Sequence, residues 1–253
     1  MAGAGREHRA ALSAYRCVSD AVEAGGAVVL AVPEAPDSPM LNRVVALGVE
    51  RPATEDDVDA ALATLAPGVT FYVAVAPAAR PPELAGWLRD RGLEPGWGWM
   101  AFRRGVEPLP APPTELRLVE VGDDEQAAAF AGVVRTAYGL PEALEPRLTS
   151  AWRVGWQCWL ALAGAEPAGA AGLFVEDGVG YLGLAGTAPS HRGRGAQSAL
   201  LAARIARAAQ LGCDLVLTET GERGPGRASG SYRNILRAGF QEVAVTANWG
   251  GRH

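Results

Sequence analysis

Three scarcities narrow what this 253-residue chain can be. Positive charge is not in surplus: 23 basic residues face 28 acidic ones, a net charge of −5, so no broad face for nucleic acid is expected. Cysteine is sparse. Cys17, Cys158 and Cys213 stand far apart, without the close pairs of a zinc site or a disulfide framework, so no metal is expected and a reducing cytoplasm fits. Long apolar runs are missing too, since nowhere do about eighteen apolar residues follow one another. The stretch Gly26 to Val32, behind Arg6 and Arg9, is too short for an export signal and no small-residue cleavage site follows it. No membrane is therefore expected as a partner. What is present is 49% apolar residues, enough for a substantial core in one large or two modest domains.

The chain reads as two halves. Four prolines crowd into Val106-Glu-Pro-Leu-Pro-Ala-Pro-Pro113, which favours an extended linker, and the expected domains are residues 1–108 and 114–253. In the first half a helix from about Arg6 to Ala24 leads to strands at Ala27 to Val32 and Arg43 to Val49. Thr54-Glu-Asp-Asp57 then opens a helix with an N-cap threonine and first-turn acids. A strand at Thr70 to Val75, a helix from Pro81 to Arg91 and a strand at Trp97 to Arg103 follow. The second half opens with a strand, Glu115 to Val121, and helical segments at Glu125 to Ala137 and Glu142 to Arg153. Gln157 to Ala163, Ala168 to Val175 and Val179 to Thr187 read as an antiparallel meander, with Glu176-Asp-Gly178 as a hairpin turn. A long Ala-rich helix ending at Gly212, a strand at Asp214 to Thr220, a helix at Ser231 to Arg237 and a strand at Glu242 to Ala247 complete it.

The chemistry is concentrated between the third strand of the meander and the Ala-rich helix, in Thr187-Ala-Pro-Ser-His-Arg-Gly-Arg-Gly-Ala-Gln-Ser198. First-turn N–H groups of a helix are unpaired and partly positive, so a diphosphate can dock on them. Gly193 and Gly195 give the backbone the freedom a phosphate nest needs, and Arg192 and Arg194 add charge. His191 reads as a solvated loop residue. A Walker P-loop is excluded because no Gly-Lys-Ser/Thr follows the glycines. A Rossmann reading would use Glu219 at the end of the next strand, but Ser198 stands at the third glycine position and only one strand-helix-strand unit remains.

Arg192-Gly-Arg-Gly195, with Pro189 ahead of it and Leu236-Arg-Ala-Gly-Phe240 behind, resembles the GNAT superfamily of N-acetyltransferases over about 140 residues. The resemblance implies an α/β fold of tandem GNAT-like domains, each a mixed, mostly antiparallel sheet flanked by helices. It implies acetyl-CoA as co-substrate, with its diphosphate on Arg192, Gly193, Arg194, Gly195, Ala196, Gln197 and Ser198. Gln197 stands where the family usually has Gly or Ala. The edge Ala185, Gly186, Thr187 would pair with the pantetheine arm like an added strand. Ser231 matches a serine near the start of the family's last helix; the asparagine common three residues earlier is Ala228 here, and Asn234 is the expected substitute.

Acetyl transfer to an amine asks for a base and often for an acid. Glu219, at the end of its strand, is the candidate base or else a salt-bridged edge residue. The family's usual tyrosine acid is replaced by Ile235, and Tyr232, about a turn away, is the candidate in its stead or else a packing residue. Trp152 and Trp156, spaced i,i+4, would share a helix face beside the acceptor or lie in the core, with Glu142 and Glu145 attracting a cationic amine. The first half resembles a decayed GNAT module: Glu50-Arg-Pro-Ala-Thr-Glu-Asp-Asp57 has no glycine and its acids would repel a diphosphate. The expected function is acetyl transfer to a primary amine of a small molecule or protein, the alternative an acyl-CoA-binding sensor or scaffold. The acceptor's identity and the oligomeric state are left open.

Overall fold

The computed structural model describes residues 2–110, 112–224 and 230–253. The chain begins α1 (Ala2–Arg16), β1 (Asp20–Ala24), β2 (Ala27–Ala31), β3 (Arg43–Val45), α2 (Glu55–Leu62), β4 (Thr70–Val75), α3 (Leu84–Asp90) and β5 (Glu94–Pro95). It continues β6 (Trp99–Arg104), β7 (Arg117–Glu120), α4 (Asp124–Tyr138), α5 (Glu145–Ser150, with a 3-10 turn on either side), β8 (Trp156–Ala163), β9 (Glu166–Glu176) and β10 (Val179–Thr187). A 3-10 turn at Pro189–His191, α6 (Ala196–Gln210), β11 (Leu215–Gly221), α7 (Gly230–Arg237) and β12 (Gln241–Arg252) finish it.

Contacts divide the chain into two compact units, Met1–Val18 with Ala101–Val243 and Ser19–Met100 with Ala244–His253. The halves read from the sequence have thus exchanged their ends: the first helix belongs to the larger unit and the last residues to the smaller. The proline run lies inside the larger unit rather than between two domains. Proline makes that segment extended, but extension does not keep it from packing: just beyond it, Thr114 Oγ1 donates to the Arg194 carbonyl at 2.9 Å.

In the smaller unit β1, β2 and β3 pair antiparallel, β3 pairs β4 in parallel, and β4 pairs β12 antiparallel. Val29, Val44, Phe71, Val73, Leu84, Leu88 and Trp249 fill its core. In the larger unit β7, β8, β9 and β10 form the expected antiparallel meander, β10 pairs β11 in parallel, and β6 lies beside β11. The pairing plan is therefore repeated. Each sheet is a meander closed by a parallel strand reached through a helix, α2 in one unit and α6 in the other, and each is mixed, mostly antiparallel and flanked by helices.

One element differs in kind from the reading of the sequence. The helix expected to Ala24 stops at Arg16, and Asp20–Ala24 is a strand paired with Ala27–Ala31. The cause is Gly25-Gly26, both at positive φ (59° and 66°), the two-residue turn whose twist suits a hairpin. Helix α2 starts as expected, with Thr54 and Asp57 forming a reciprocal capping box. Asp57 is also held by Arg51 through hydrogen bonds of 2.6 and 2.7 Å.

Candidate active site

Strand β10 creates the site by leaving its neighbours part-way. It pairs with β11 only over Val179–Leu182 against Leu215–Thr218, and its register with β9 shifts between Gly183 and Gly186. Leu184 sits at the shift with φ of 47°, the unusual angle of a bulged strand. Beyond it the β11-facing edge of Ala185–Thr187 has no strand partner among the described residues. Arg204, on α6, reaches the bulge and donates through Nη1 to the carbonyls of Gly172 (3.0 Å) and Gly183 (3.4 Å).

The loop after β10 turns back at once. Ala188 N–H donates to the Ala168 carbonyl at 2.9 Å, tying the loop to β9. Gly193 and Gly195 take φ of 80° and 83°, and Gly195 is the N-cap of α6 without a side-chain cap. The first-turn N–H groups of α6 are thus left as donors for a ligand. At Gly195 a side chain would be strained by φ and would press on the Pro113 carbonyl at 3.3 Å, so glycine is needed there.

Loop, free strand edge and the start of α7 line one cavity of about 620 Å³, a volume in the ordinary range for a small-molecule site. Its wall includes Ala185, Gly186, Thr187, Arg192, Gly193, Gly195, Ala196, Gln197, Ser198, Ser231 and Asn234. Of the twelve cofactor residues expected from the sequence, these are all but Arg194, whose carbonyl is instead the acceptor for Thr114. Asn234 Nδ2 donates to Gln197 Oε1 at 2.8 Å, so the residue standing in for Gly or Ala is joined to the substitute asparagine. The donors suit a diphosphate and the open edge suits an extended amide chain, so the residues fit acyl-CoA.

Residues 115–226 match the model of the acetyltransferase (GNAT) family. Over that stretch, less than half of the chain, the sequence is that of a GNAT acetyltransferase domain. Solved structures agree in fold. A GCN5-related N-acetyltransferase from Kribbella flavida superposes with a TM-score of 0.69 at 21% identity, over 97% of this chain and 94% of that one. Another from Sphaerobacter thermophilus gives 0.64 at 17% identity, over 90% and 81%. A tandem GNAT protein from the clavulanic acid biosynthesis pathway gives 0.60 at 17% identity, over 89% and 78%. No curated protein matches the chain. The domain is an acyltransferase, and no group of three or more metal-ligating side chains occurs among the described residues.

The expected catalytic and acceptor residues fare differently from the cofactor loop. Glu219 of the GNAT domain is half-buried and does not line the cavity; it accepts a hydrogen bond from Tyr15 Oη, and Tyr181 Oη stands 3.5 Å away. Tyr181 Oη in turn donates to Tyr15 Oη at 2.9 Å. Tyr15 lies on α1, 204 residues away in sequence, and nothing local could have announced it. Tyr232 does not line the cavity either. It is 3% exposed, packs edge-on against Phe102 and donates to Glu242 at 2.6 Å, and burial with that carboxylate pushes its hydroxyl up to about 12. These contacts make it the packing residue rather than an acid in the cavity. Ile235, in the position of the family's tyrosine, is buried.

Trp152 and Trp156 do not share a helix face. Trp152 is in a 3-10 turn, whereas Trp156 begins β8 after Gly155 (φ 103°), so the helical period ends between them. Trp156 is 2% exposed and packs against Phe174 and Tyr181, which puts it in the core; neither tryptophan lines the cavity. His191 is not solvated. It is 5% exposed, its Nε2 is 3.5 Å from Glu166 and its Nδ1 3.0 Å from Ser190 Oγ, so it clasps the loop to the start of β9. Ala228 lies outside the described residues. The lining residues that were not foreseen include Tyr138, whose hydroxyl donates to the Ala185 carbonyl at 2.8 Å, Arg204 and Arg237. Tyr138 ends an amphipathic helix and reads locally as any surface tyrosine; only the arrival of β10 gives it a site.

Proposed function

We propose that the GNAT domain transfers acetyl from acetyl-CoA to a primary amine of a small molecule or protein. The observation that carries this reading is the continuity, in one cavity, of the uncapped α6 N-terminus and the unpaired edge Ala185–Thr187. The α6 amides, Arg192 and Arg237 hold the diphosphate, while Gln197 and Asn234 brace each other beside it. The backbone of Ala185–Thr187 aligns the pantetheine amides and fixes the thioester by the bulge. Acetyl-CoA supplies the activated carbonyl; the amine nitrogen bonds to its carbon as the C–S bond breaks. Glu219, set off the cavity wall and oriented by Tyr15, takes through an intervening water the proton that the amine must lose, and Tyr138, the phenol on the cavity wall, or solvent returns one to the thiolate. The smaller unit, with the same pairing plan but an acid-capped α2 where the other has its glycine loop, is read as a GNAT-like module that holds no acyl-CoA.

A thiol-release assay with acetyl-CoA and a panel of amines tests the proposal. All 23 basic residues of the chain are arginines, so lysine self-acetylation contributes no background. Arg192→Ala combined with Gly195→Asp is expected to abolish coenzyme A binding and thiol release together; unchanged affinity in that variant would refute the site. Acetyl-CoA binding with no thiol released for any amine would mark the sensor instead.

A further inference from the structure

Beside the bulge the same cavity holds a cation with no counter-charge among the described residues. Arg204 is 1% exposed, yet it forms part of the cavity wall. Its Nε donates to the Leu200 carbonyl of its own helix at 3.0 Å, and Nη1 donates to Gly172 and Gly183 at the bulge. For Nη2 there is no hydrogen-bond partner among the described residues, and no carboxylate among them pairs with the guanidinium. The ionisable groups that bear on it are Tyr138 and Cys158, and burial raises both, the Cys158 thiol to about 12, so neither supplies a negative charge near neutral pH. Burial draws Arg204 down to about 10, which still leaves it protonated.

The Leu200 carbonyl accounts for Nε and the bulge for Nη1, but neither accounts for a full charge. A neutral amide donor would satisfy the same carbonyls without the desolvation that a buried cation incurs. The wall beside Arg204 is also spare, since Ala170, Ala171 and Ala185 present only methyl groups to the cavity. A buried, permanently charged fork next to such space is the arrangement that recognises a carboxylate.

Resting on the acyl-CoA reading above, the geometry points to Arg204 as the receptor for an acyl chain that ends in a carboxylate, so that the domain prefers carboxyacyl-CoA donors such as malonyl- or succinyl-CoA. Transfer from such a donor balances as acetyl transfer does. The C–S bond breaks, the amide C–N bond forms, the amine proton leaves to base and the thiolate is protonated; the distal carboxylate takes no part and stays on Arg204.

Calorimetric titration of the full chain with coenzyme A, acetyl-, butyryl-, malonyl- and succinyl-CoA tests this without any substitution. A charge-assisted contact predicts that malonyl- or succinyl-CoA binds the unaltered protein about tenfold or more tighter than butyryl-CoA, the neutral chain of succinyl length. Arg204→Gln is expected to bring succinyl- and butyryl-CoA to one affinity, and Arg204→Lys to keep part of the difference. Equal binding of butyryl-CoA and both carboxyacyl thioesters by the unaltered protein, with coenzyme A and acetyl-CoA still bound, would overturn the inference and leave the acyl-CoA site standing. Failure of every thioester and of coenzyme A to bind would overturn both.

Discussion

In the proposed mechanism the proton chemistry falls to Glu219 and the tyrosines around it. A carboxylate that accepts from Tyr15, itself accepting from Tyr181, is held in one orientation, which the proposed mechanism uses to keep it ready as a base. Glu219→Gln should lower kcat on the order of 100-fold, and Tyr15→Phe, which removes one donor but keeps the carboxylate, should cost less; steady-state kinetics with a responsive amine would check both. Trp156 behaves differently, because it is in the core beneath Phe174 and Tyr181. Its replacement by Ala should cost about 3–5 kcal/mol of stability in urea unfolding, an effect of packing and not of substrate contact. None of these roles could be assigned from spacing. Glu219 is visible as a carboxylate at a strand end, but its partner Tyr15 is brought by a helix from the other end of the chain. Two tryptophans four apart look like one face only if the helix persists, and here it ends at Gly155.

Turns and caps were the elements best written in the local sequence, because glycine, proline and capping residues act on their immediate neighbours. The α6 start is an example. Gly195 needs its positive φ both for the loop and for room beside Pro113, so Gly195→Ala should destabilise the domain by about 1–2 kcal/mol from backbone strain alone and weaken acyl-CoA binding, measurable by thermal shift with and without ligand. At α2 the Arg51–Asp57 pair links stability to pH. The hydrogen bonds from Arg51, helped by Thr54, hold the Asp57 carboxyl well below the usual carboxylate range. A group whose folded pKa is depressed stabilises fully above its unfolded value and loses that contribution as pH falls through the folded one. Urea midpoints should therefore fall as pH drops below about 4, and Asp57→Asn should flatten that fall. The hairpin at Gly25-Gly26 shows the limit of local reading. Asp20–Ala24 has a helix-compatible composition, and its state was decided by pairing with Ala27–Ala31.

The exchange of chain ends decides how the larger unit holds together. Helix α1 packs on β9 and β10, buries Ala10 and Ala14 completely and delivers Tyr15 to Glu219. A chain that starts at residue 19 should consequently melt on the order of 10 °C lower and lose turnover, since both a packed helix and the orienting phenol are gone; calorimetry and the thiol-release assay would show the two losses together. Such a result would distinguish α1 from a dispensable leader.

By itself the sequence determined most of the order of helices and strands and singled out the glycine loop ahead of α6, because glycine conformations, caps and alternation of apolar residues are short-range effects that need no partner. Only the tertiary structure decided which residues meet across that framework: Tyr15 with Glu219, Arg204 with the bulge carbonyls, Tyr138 with Ala185, and the first helix with the larger unit. The reason is that burial and hydrogen-bond satisfaction are properties of surfaces brought together by folding, and residues separated by tens to hundreds of positions carry no local mark of the neighbour they will acquire.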